Sequence, residues 1–335
     1  MSRMVSVVIP CRNEVRAIEA TVRAILEQDY PEIEVLVVDG RSEDGTRDVL
    51  ARLEREDSRV RMIDNPHKLT PYAFNLGVKN ARGGFVQIVG SRNVMARDYL
   101  SLLVQELGKD PSVACVGGDY QHVSDSEAGR LISRAMESRF GVGGGNYRTM
   151  TGDRDVDTVG VPMYRANIFH EVGYFDENLT RNQDDDFNFR VTQKGHRIRY
   201  VHAAKVTYLV RGSFKKAFQQ FSQYGYFKVF VNKKHGAVTT WRQVVPAAFL
   251  AFWVMGLPLS IFMPAVRPLL SWVAAAYVLV GMLLAGQGLG FVDRLYVLAT
   301  CFVLHVGYGY GYWKGIWDFL IQRRDPSANF QKQTT

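Results

Sequence analysis

Three long apolar runs near the C-terminus limit what this chain can fold into more than any other feature. Residues 244–263 and 269–292 carry no charged side chain, and residues 295–313 carry only His305 as a group that titrates near neutral pH. Each run is close to the roughly 20 residues a helix needs to cross a bilayer core. One such run is compatible with a buried helix. Three in succession predict membrane-embedded segments within 243–320, with a buried helical domain as the alternative. Residues 1–212 instead alternate apolar and charged stretches, as a soluble domain does, and residues 321–335 form a polar tail.

The charges predict an orientation. Most basic residues precede Val244, the short links hold Arg267, Asp293 and Arg294, and Arg323, Arg324 and Lys332 follow the last run. The positive-inside tendency places both the N-terminal domain and the tail in the cytoplasm. Three full crossings would separate them, so either one segment is re-entrant or the tail departs from the rule. The net charge of +8 fits anionic lipid and anionic small molecules better than nucleic acid. Cys11, Cys115 and Cys301 lie far apart, without metal-ligand spacing or a disulfide framework, and suit a reducing cytosol. "MVSVVIP" reads as the start of a fold, with no signal peptide before it.

Along residues 1–100, strands and helices alternate. "VSVVIP", "EIEVLVVDG", "VRMIDN" and "GFVQIVG" read as strands; "EVRAIEATVRAILEQ", "SEDGTRDVLARLERE" and "TPYAFNLGVKNAR" read as helices between them. This pattern predicts a doubly wound parallel sheet. Such sheets bind ligands at the carboxyl ends of their strands, here Pro10 to Glu14, Asp39 to Ser42, Asp64 to Lys68 and Gly90 to Asn93. Asp44 reads as a capping or turn residue. The stretch 213–242 mixes aromatics with lysines and reads as interfacial helices. Phe214, Phe218, Phe221 and Phe227 would lie in the headgroup layer and Lys215, Lys216, Lys233 and Lys234 against lipid phosphates. Ordinary packing is the alternative.

The string "VSVVIPCRNE…VLVVDGRSEDGT…NLGVKNARG" resembles glycosyltransferase family 2. The segments "ESRFGVGGGNYR", "FDENLTRNQDDDFNFRVTQKG" and "QFSQYGYFKVFVNKKHG" are similar to its membrane-bound exopolysaccharide branch of the succinoglycan type. The resemblance implies a GT-A fold over residues 1–212, followed by the α-helical membrane region, and a UDP-hexose donor with glucose as the first choice. It also implies a polyprenyl-diphosphate-linked or other membrane glycan acceptor, and a multi-pass protein of the cell (inner) membrane with its catalytic domain cytoplasmic. Pro10, Asn13, Glu14 and Asp39 fall on donor-contacting positions, with Lys68 and Ser91 beside them; Asp39 can equally cap the following turn.

The cluster Asp184, Asp185, Asp186 falls on the family's general-base segment. Asp184 lies on the base, Gln183 replaces a Glu, and Asp186 and Arg190 are supporting positions. Acids also favour a helix N-terminus for electrostatic reasons alone. Gln220 and Gln223 lie where processive relatives carry Gln-x-x-Arg-Trp; with Gln and Tyr in place of Arg and Trp, addition of one sugar is expected.

One departure stands out. Gly90, Ser91 and Arg92 occupy the positions of the family's Asp-x-Asp metal motif. Three readings follow: a metal-independent transferase in which Arg92, helped by Lys68 or Arg148, meets the diphosphate; a transferase binding Mg²⁺ or Mn²⁺ atypically; or a catalytically weak or silent homologue acting as a donor-binding or assembly partner.

Overall fold

The computed structural model describes residues 3–124, 126–143, 150–210, 213–239 and 241–326. The chain forms two compact units, Met1–His122 with Met150–Leu209, and Val123–Thr149 with Val210–Thr335.

In the first unit, β1 (Val5–Cys11), β2 (Ile33–Asp39), β3 (Val60–Asp64) and β4 (Phe85–Ile88) are parallel neighbours in the order β3-β2-β1-β4. They are joined by α1 (Ile18–Leu26), α2 (Thr46–Glu56) and α3 (Thr70–Asn80). Every residue of β2 is buried, because helices cover both faces of a parallel sheet and its strands become continuous apolar runs. The order turns back at β1: the chain winds from β1 to β2 and β3, then returns to β4 on the other side. The crevice at such a switch lies between the carboxyl ends of β1 and β4.

The rest of this unit extends the sheet. β5 (Asn93–Met95), α4 (Tyr99–Lys109) and β6 (Val113–Val123) follow, and after an excursion into the second unit come β7 (Arg154–Asp155), β8 (Gly160–Arg165), α7 (Ile168–Val172), α8 (Gln183–Gln193) and β9 (Arg197–Leu209). Among the described residues the sheet has nine strands, ordered β3-β2-β1-β4-β8-β6-β9-β5, with β7 on β9. β8 runs antiparallel to both β4 and β6, and β5 runs antiparallel to β9. The core is built from Val7, Ile9, Val35, Val37, Leu103, Val116 and Met163 among others.

The excursion holds α5 (Glu127–Glu137) and α6 (Arg139–Val142). The expected 1–212 boundary does not follow the chain here. Ile132, Ala135 and Met136 on one face of α5 pack with Ala217, Ala285, Val297, Cys301 and Leu304 in the second unit, so that apolar face is satisfied away from the sheet.

The second unit continues with α9 (Phe214–His235), α10 (Val244–Phe262), α11 (Val266–Leu284) and α12 (Phe291–Gly315), which runs on into a π-helical turn, Ile316–Ile321. Among the described residues three helical stretches, Trp241–Phe262, Val266–Leu284 and Phe291–Ile321, are long and apolar enough to cross a membrane. Their outward side chains are apolar: Phe262 is 82% and Trp272 74% exposed. A surface of this kind needs an apolar solvent or partner to cover it. His305, the group within residues 295–313 that titrates near neutral pH, is satisfied: its Nε2 faces the Phe140 carbonyl at 3.0 Å and must donate, leaving Nδ1 to accept from the Tyr277 hydroxyl at 2.9 Å.

The 213–242 stretch differs from the interfacial helices expected there. α9 is enclosed over residues 225–229, and Phe227, placed in the headgroup layer above, is fully buried. It packs along α12 because glycines on that helix admit its backbone. Lys215, Lys233 and Lys234 at its two ends remain exposed.

Candidate active site

The loops after β1, β2 and β3 are tied to one another by short hydrogen bonds. The Asn13 amide donates to Ser42 Oγ at 2.8 Å, Ser42 Oγ donates to Asp39 Oδ1 at 2.5 Å, and Asn13 Oδ1 accepts from the Glu43 amide at 2.9 Å. The Glu14 amide donates to Thr46 Oγ1 at 2.9 Å. Asp44 has the turn role expected of it, accepting from Thr46 N, Thr46 Oγ1 and Val15 N. Asn13, Arg41 and Lys68, one after each of the three strands, hold φ near +54° to +60°. Left-handed backbone at non-glycine residues is unfavourable and is kept where surrounding contacts impose it, often at binding sites.

Asp39 is fully buried, and the Ser42 amide and Arg47 Nη1, each at 3.1 Å, donate to its Oδ2. Arg47 also bridges to Asp64 at 3.0 Å. In this conformation Asp39 holds the turn between β2 and α2. Pro10 lies at the end of β1, and Lys68 reaches Glu43 at 3.8 Å. The Cys11 thiol is pushed up by burial and then by Asp39, Glu14 and Asp44. In the same loops Arg47 pairs with Asp39 and Asp64, and Arg41 pairs with Asp64, so acids and cations are interleaved there.

At the switch point, Arg92 and Glu14 face each other in a two-pronged ion pair: Arg92 Nε donates to Glu14 Oε2 at 2.9 Å and Nη2 to Oε1 at 2.5 Å. Only 13% and 10% of the two side chains are exposed. Burial would lower the Arg92 pKa, but Glu14 and Tyr208 outweigh it and hold the guanidinium charged. The Ser91 carbonyl accepts from Thr21 Oγ1 at 2.9 Å, which anchors this loop to α1.

The divalent cation implied by the family resemblance does not fit these residues. Positions 90–92 offer no carboxylate, and Glu14 is already paired with Arg92. A Cβ at Gly90 would come within 2.5 Å of Asn93 Oδ1, so an acid there would displace the Asn93 side chain. Among the described residues no group of three or more His, Cys, Asp and Glu side chains is placed to hold a metal. Arg148 lies outside the described residues.

The acid cluster opens α8 in three different environments. Asp184 is exposed, Asp185 is half-buried and Asp186 is fully buried. Arg190 donates to Asp186 at 3.0 and 3.2 Å, to the Tyr174 carbonyl at 2.7 Å and also to the Val172 carbonyl. Asp186 and Arg190 thus brace the helix start against the 172–174 loop. Asn188, one turn after Asp184, binds Thr158 Oγ1 at 3.0 Å and the Tyr164 hydroxyl at 2.9 Å. Thr158 precedes β8, whose first residues lie beside the carboxyl end of β4. The acid cluster is therefore anchored to the same carboxyl edge of the sheet as the β1, β2 and β3 loops. Asp186→Asn is expected to destabilise the first unit by about 3–5 kcal/mol, the usual loss when one member of a buried ion pair is removed. Thermal denaturation of the variant checks this; unchanged stability would count against the bracing role.

Gln220 and Gln223 lie on α9 in the second unit. Gln220 donates to the Tyr224 hydroxyl at 2.9 Å, and Gln223 is buried.

Three residues escaped the sequence reading. Arg47 is one, although a basic residue in the first turn of α2, after a strand-end acid, was a visible signal. The others are Tyr208 on β9 and Asp119 on β6. Asp119 accepts from Tyr200 and Lys205, each at 2.9 Å. Burial raises its pKa, but these two partners and Gln121 hold it below the usual carboxylate range.

Strand order, switch-point crevice and acid-headed helix together define a GT-A fold. Residues 6–173 match Glycosyl transferase family 2, and the chain belongs to that family. It is 28% identical over 319 residues to Succinoglycan biosynthesis protein ExoA of Rhizobium meliloti (strain 1021), covering 93% of this chain and 95% of that one. It is 26% identical over 330 residues to a Methanococcus voltae protein, dolichyl N-acetyl-alpha-D-glucosaminyl phosphate 3-beta-D-2,3-diacetamido-2,3-dideoxy-beta-D-glucuronosyltransferase, covering 93% and 97%. Among solved structures it matches mannosyltransferase PcManGT of Pyrobaculum calidifontis, solved with GDP-Man and Mn²⁺, at a TM-score of 0.61 and 18% identity, covering 95% of this chain and 88% of that one. The last likeness concerns the fold. The chain is a family 2 glycosyltransferase with relatives in polysaccharide biosynthesis.

Proposed function

We propose that this protein is an inverting hexosyltransferase that passes one sugar, with glucose from a UDP donor as the first choice, to a lipid-linked glycan at the cytoplasmic face of the cell membrane. The observation that carries the reading is the exposed Asp184 at the head of α8, braced by Asp186 and Arg190 at the sheet edge where donors bind. In a single displacement, Asp184 takes the proton of the acceptor hydroxyl as its oxygen attacks the anomeric carbon. The bond to the nucleoside diphosphate breaks, and the configuration inverts. Pro10, Asn13 and Asp39 shape the nucleoside end of the donor site, and Lys68 and Ser91 line its rim.

The lipid-linked acceptor is supported by the Methanococcus relative, whose name describes a dolichyl phosphate-linked sugar. The three apolar helical stretches, which would hold the protein in the same bilayer as such an acceptor, support it too. The donor base stays open to comparison because PcManGT was solved with GDP-Man. The test is transfer from radiolabelled UDP- and GDP-hexoses into lipid extracts by the full-length protein in nanodiscs. Butanol-extractable label from a UDP-hexose is expected. Tight donor binding without transfer to any lipid fraction would favour a silent assembly partner instead.

A further inference from the structure

Resting on that donor-site reading, we propose that Glu14 is a placeholder for the donor diphosphate: it pairs with Arg92 while the site is empty and yields the guanidinium to the phosphates when a nucleotide sugar enters.

The pair joins the two carboxyl ends that flank the switch point, Glu14 following β1 and Arg92 following β4. Arg92 therefore lies where a diphosphate binds in an open α/β sheet. Both side chains are nearly buried, and a desolvated guanidinium without an anion is strongly unfavourable. A carboxylate in the empty site removes that penalty. Its two oxygens meet the guanidinium fork as two phosphate oxygens would, since both anions suit the same bidentate geometry.

A second observation points to an anionic or acceptor-rich ligand here. Asn93 Nδ2, beside Arg92 and folded over Gly90, is buried without a hydrogen-bond acceptor. Buried donors left unmatched are uncommon in folded proteins and call for an explanation. Phosphate oxygens at the switch point would supply an acceptor of the kind Asn93 lacks. Glu14 can give way without unfolding its loop, because its amide stays held by Thr46. Arg92 keeps Tyr208 as a further partner across the β5–β9 pairing. The site then holds one fixed cation, Arg92, and one mobile anion, Glu14, and among the described residues it offers no carboxylate cluster for a metal.

The test is isothermal titration of the full-length protein in detergent with UDP, GDP and inorganic pyrophosphate, each with EDTA and with Mn²⁺. In EDTA, Arg92→Ala should weaken UDP and pyrophosphate binding by roughly tenfold to a hundredfold, the scale of a charge-assisted contact. Glu14→Gln should tighten both, and Arg92→Lys should recover part of the loss, since a point charge cannot reproduce the fork. The double variant Glu14→Gln/Arg92→Ala should bind like Arg92→Ala alone. Thermal unfolding of each variant identifies any that fail to fold, in which case Glu14→Gln and Arg92→Lys carry the comparison. Glu14→Gln weakening UDP as much as Arg92→Ala would overturn the placeholder role. UDP binding that needs Mn²⁺ and ignores Arg92 would overturn the inference while leaving the transferase reading intact. Failure of wild type to bind UDP or GDP in either buffer would overturn the donor-site reading itself.

Discussion

Asp184→Asn should lose sugar transfer by roughly 10²–10⁴ in rate, the contribution of a positioned general base, with donor affinity held within a few-fold. The amide keeps the shape of the side chain but cannot accept the hydroxyl proton. The three acids of α8 differ enough to make the comparison informative. Asp186 is buried against Arg190 and cannot reach an acceptor without breaking that pair. Asp185 is half-buried, while Asp184 is exposed on the first turn. Asp185→Asn should therefore leave turnover near wild type, and Asp186→Asn should act through stability. The readout is single-turnover transfer beside donor affinity on the same preparations. If Asp184→Asn keeps most of its turnover and Asp185→Asn loses it, the base has been assigned to the wrong carboxylate.

Local patterns made much of the first unit legible. β1 to β4 are short β-branched or aromatic runs with helices between them, and each helix carries an apolar face that needs the sheet. Asp44 could be read as a turn residue because its partners, Val15 and Thr46, belong to adjoining loops of a predictable fold. The acid cluster was readable because three neighbouring carboxylates at a helix start are conspicuous. Contacts made across long sequence separations were not legible. β5 is only three residues long and exists because Asn93 to Met95 pair with β9, from Val206 to Tyr208. Nothing in "NVM" announces that partner. The same holds for Glu14 and Arg92: each looked like a separate donor contact, and only the β1–β4 adjacency shows that they neutralise each other. The departure of α5 from the sheet was hidden for a related reason. Its amphipathic pattern marks an apolar face without saying which surface will cover it.

In the second unit, the length of the apolar runs marked the helices, but the signal for their packing lay in glycines spaced four apart. Gly307, Gly311 and Gly315 on α12 face the backbone carbonyls of Phe218, Ser222 and Tyr226 on α9, and Gly225 faces Tyr308 in return. The two helices therefore run parallel, at a distance that tolerates no side chain. Small residues spaced this way are how helices approach closely where apolar burial alone gives little preference for one neighbour over another. The Tyr226 hydroxyl donates to Asp318 Oδ2 at 2.9 Å, and Lys314 pairs with the same carboxylate, which fixes the register. A Cβ at Gly311 would lie 1.8 Å from the Ser222 carbonyl oxygen, and backbone cannot move aside as a flexible side chain can. Gly311→Ala should therefore cost about 1–3 kcal/mol or more, the range for overpacking, and Gly311→Leu should prevent the helices from docking. Gly108 makes the contrast. It sits in α4, a Cβ there would meet nothing within 4 Å, and Gly108→Ala should stabilise by about 0.5–1 kcal/mol because alanine loses less backbone freedom in a helix. One substitution type with opposite signs at two helical sites isolates packing from helix propensity. Thermal unfolding and size-exclusion profiles in detergent read both. Gly311→Leu giving a monodisperse protein with wild-type stability would mean that α9 does not lie against α12.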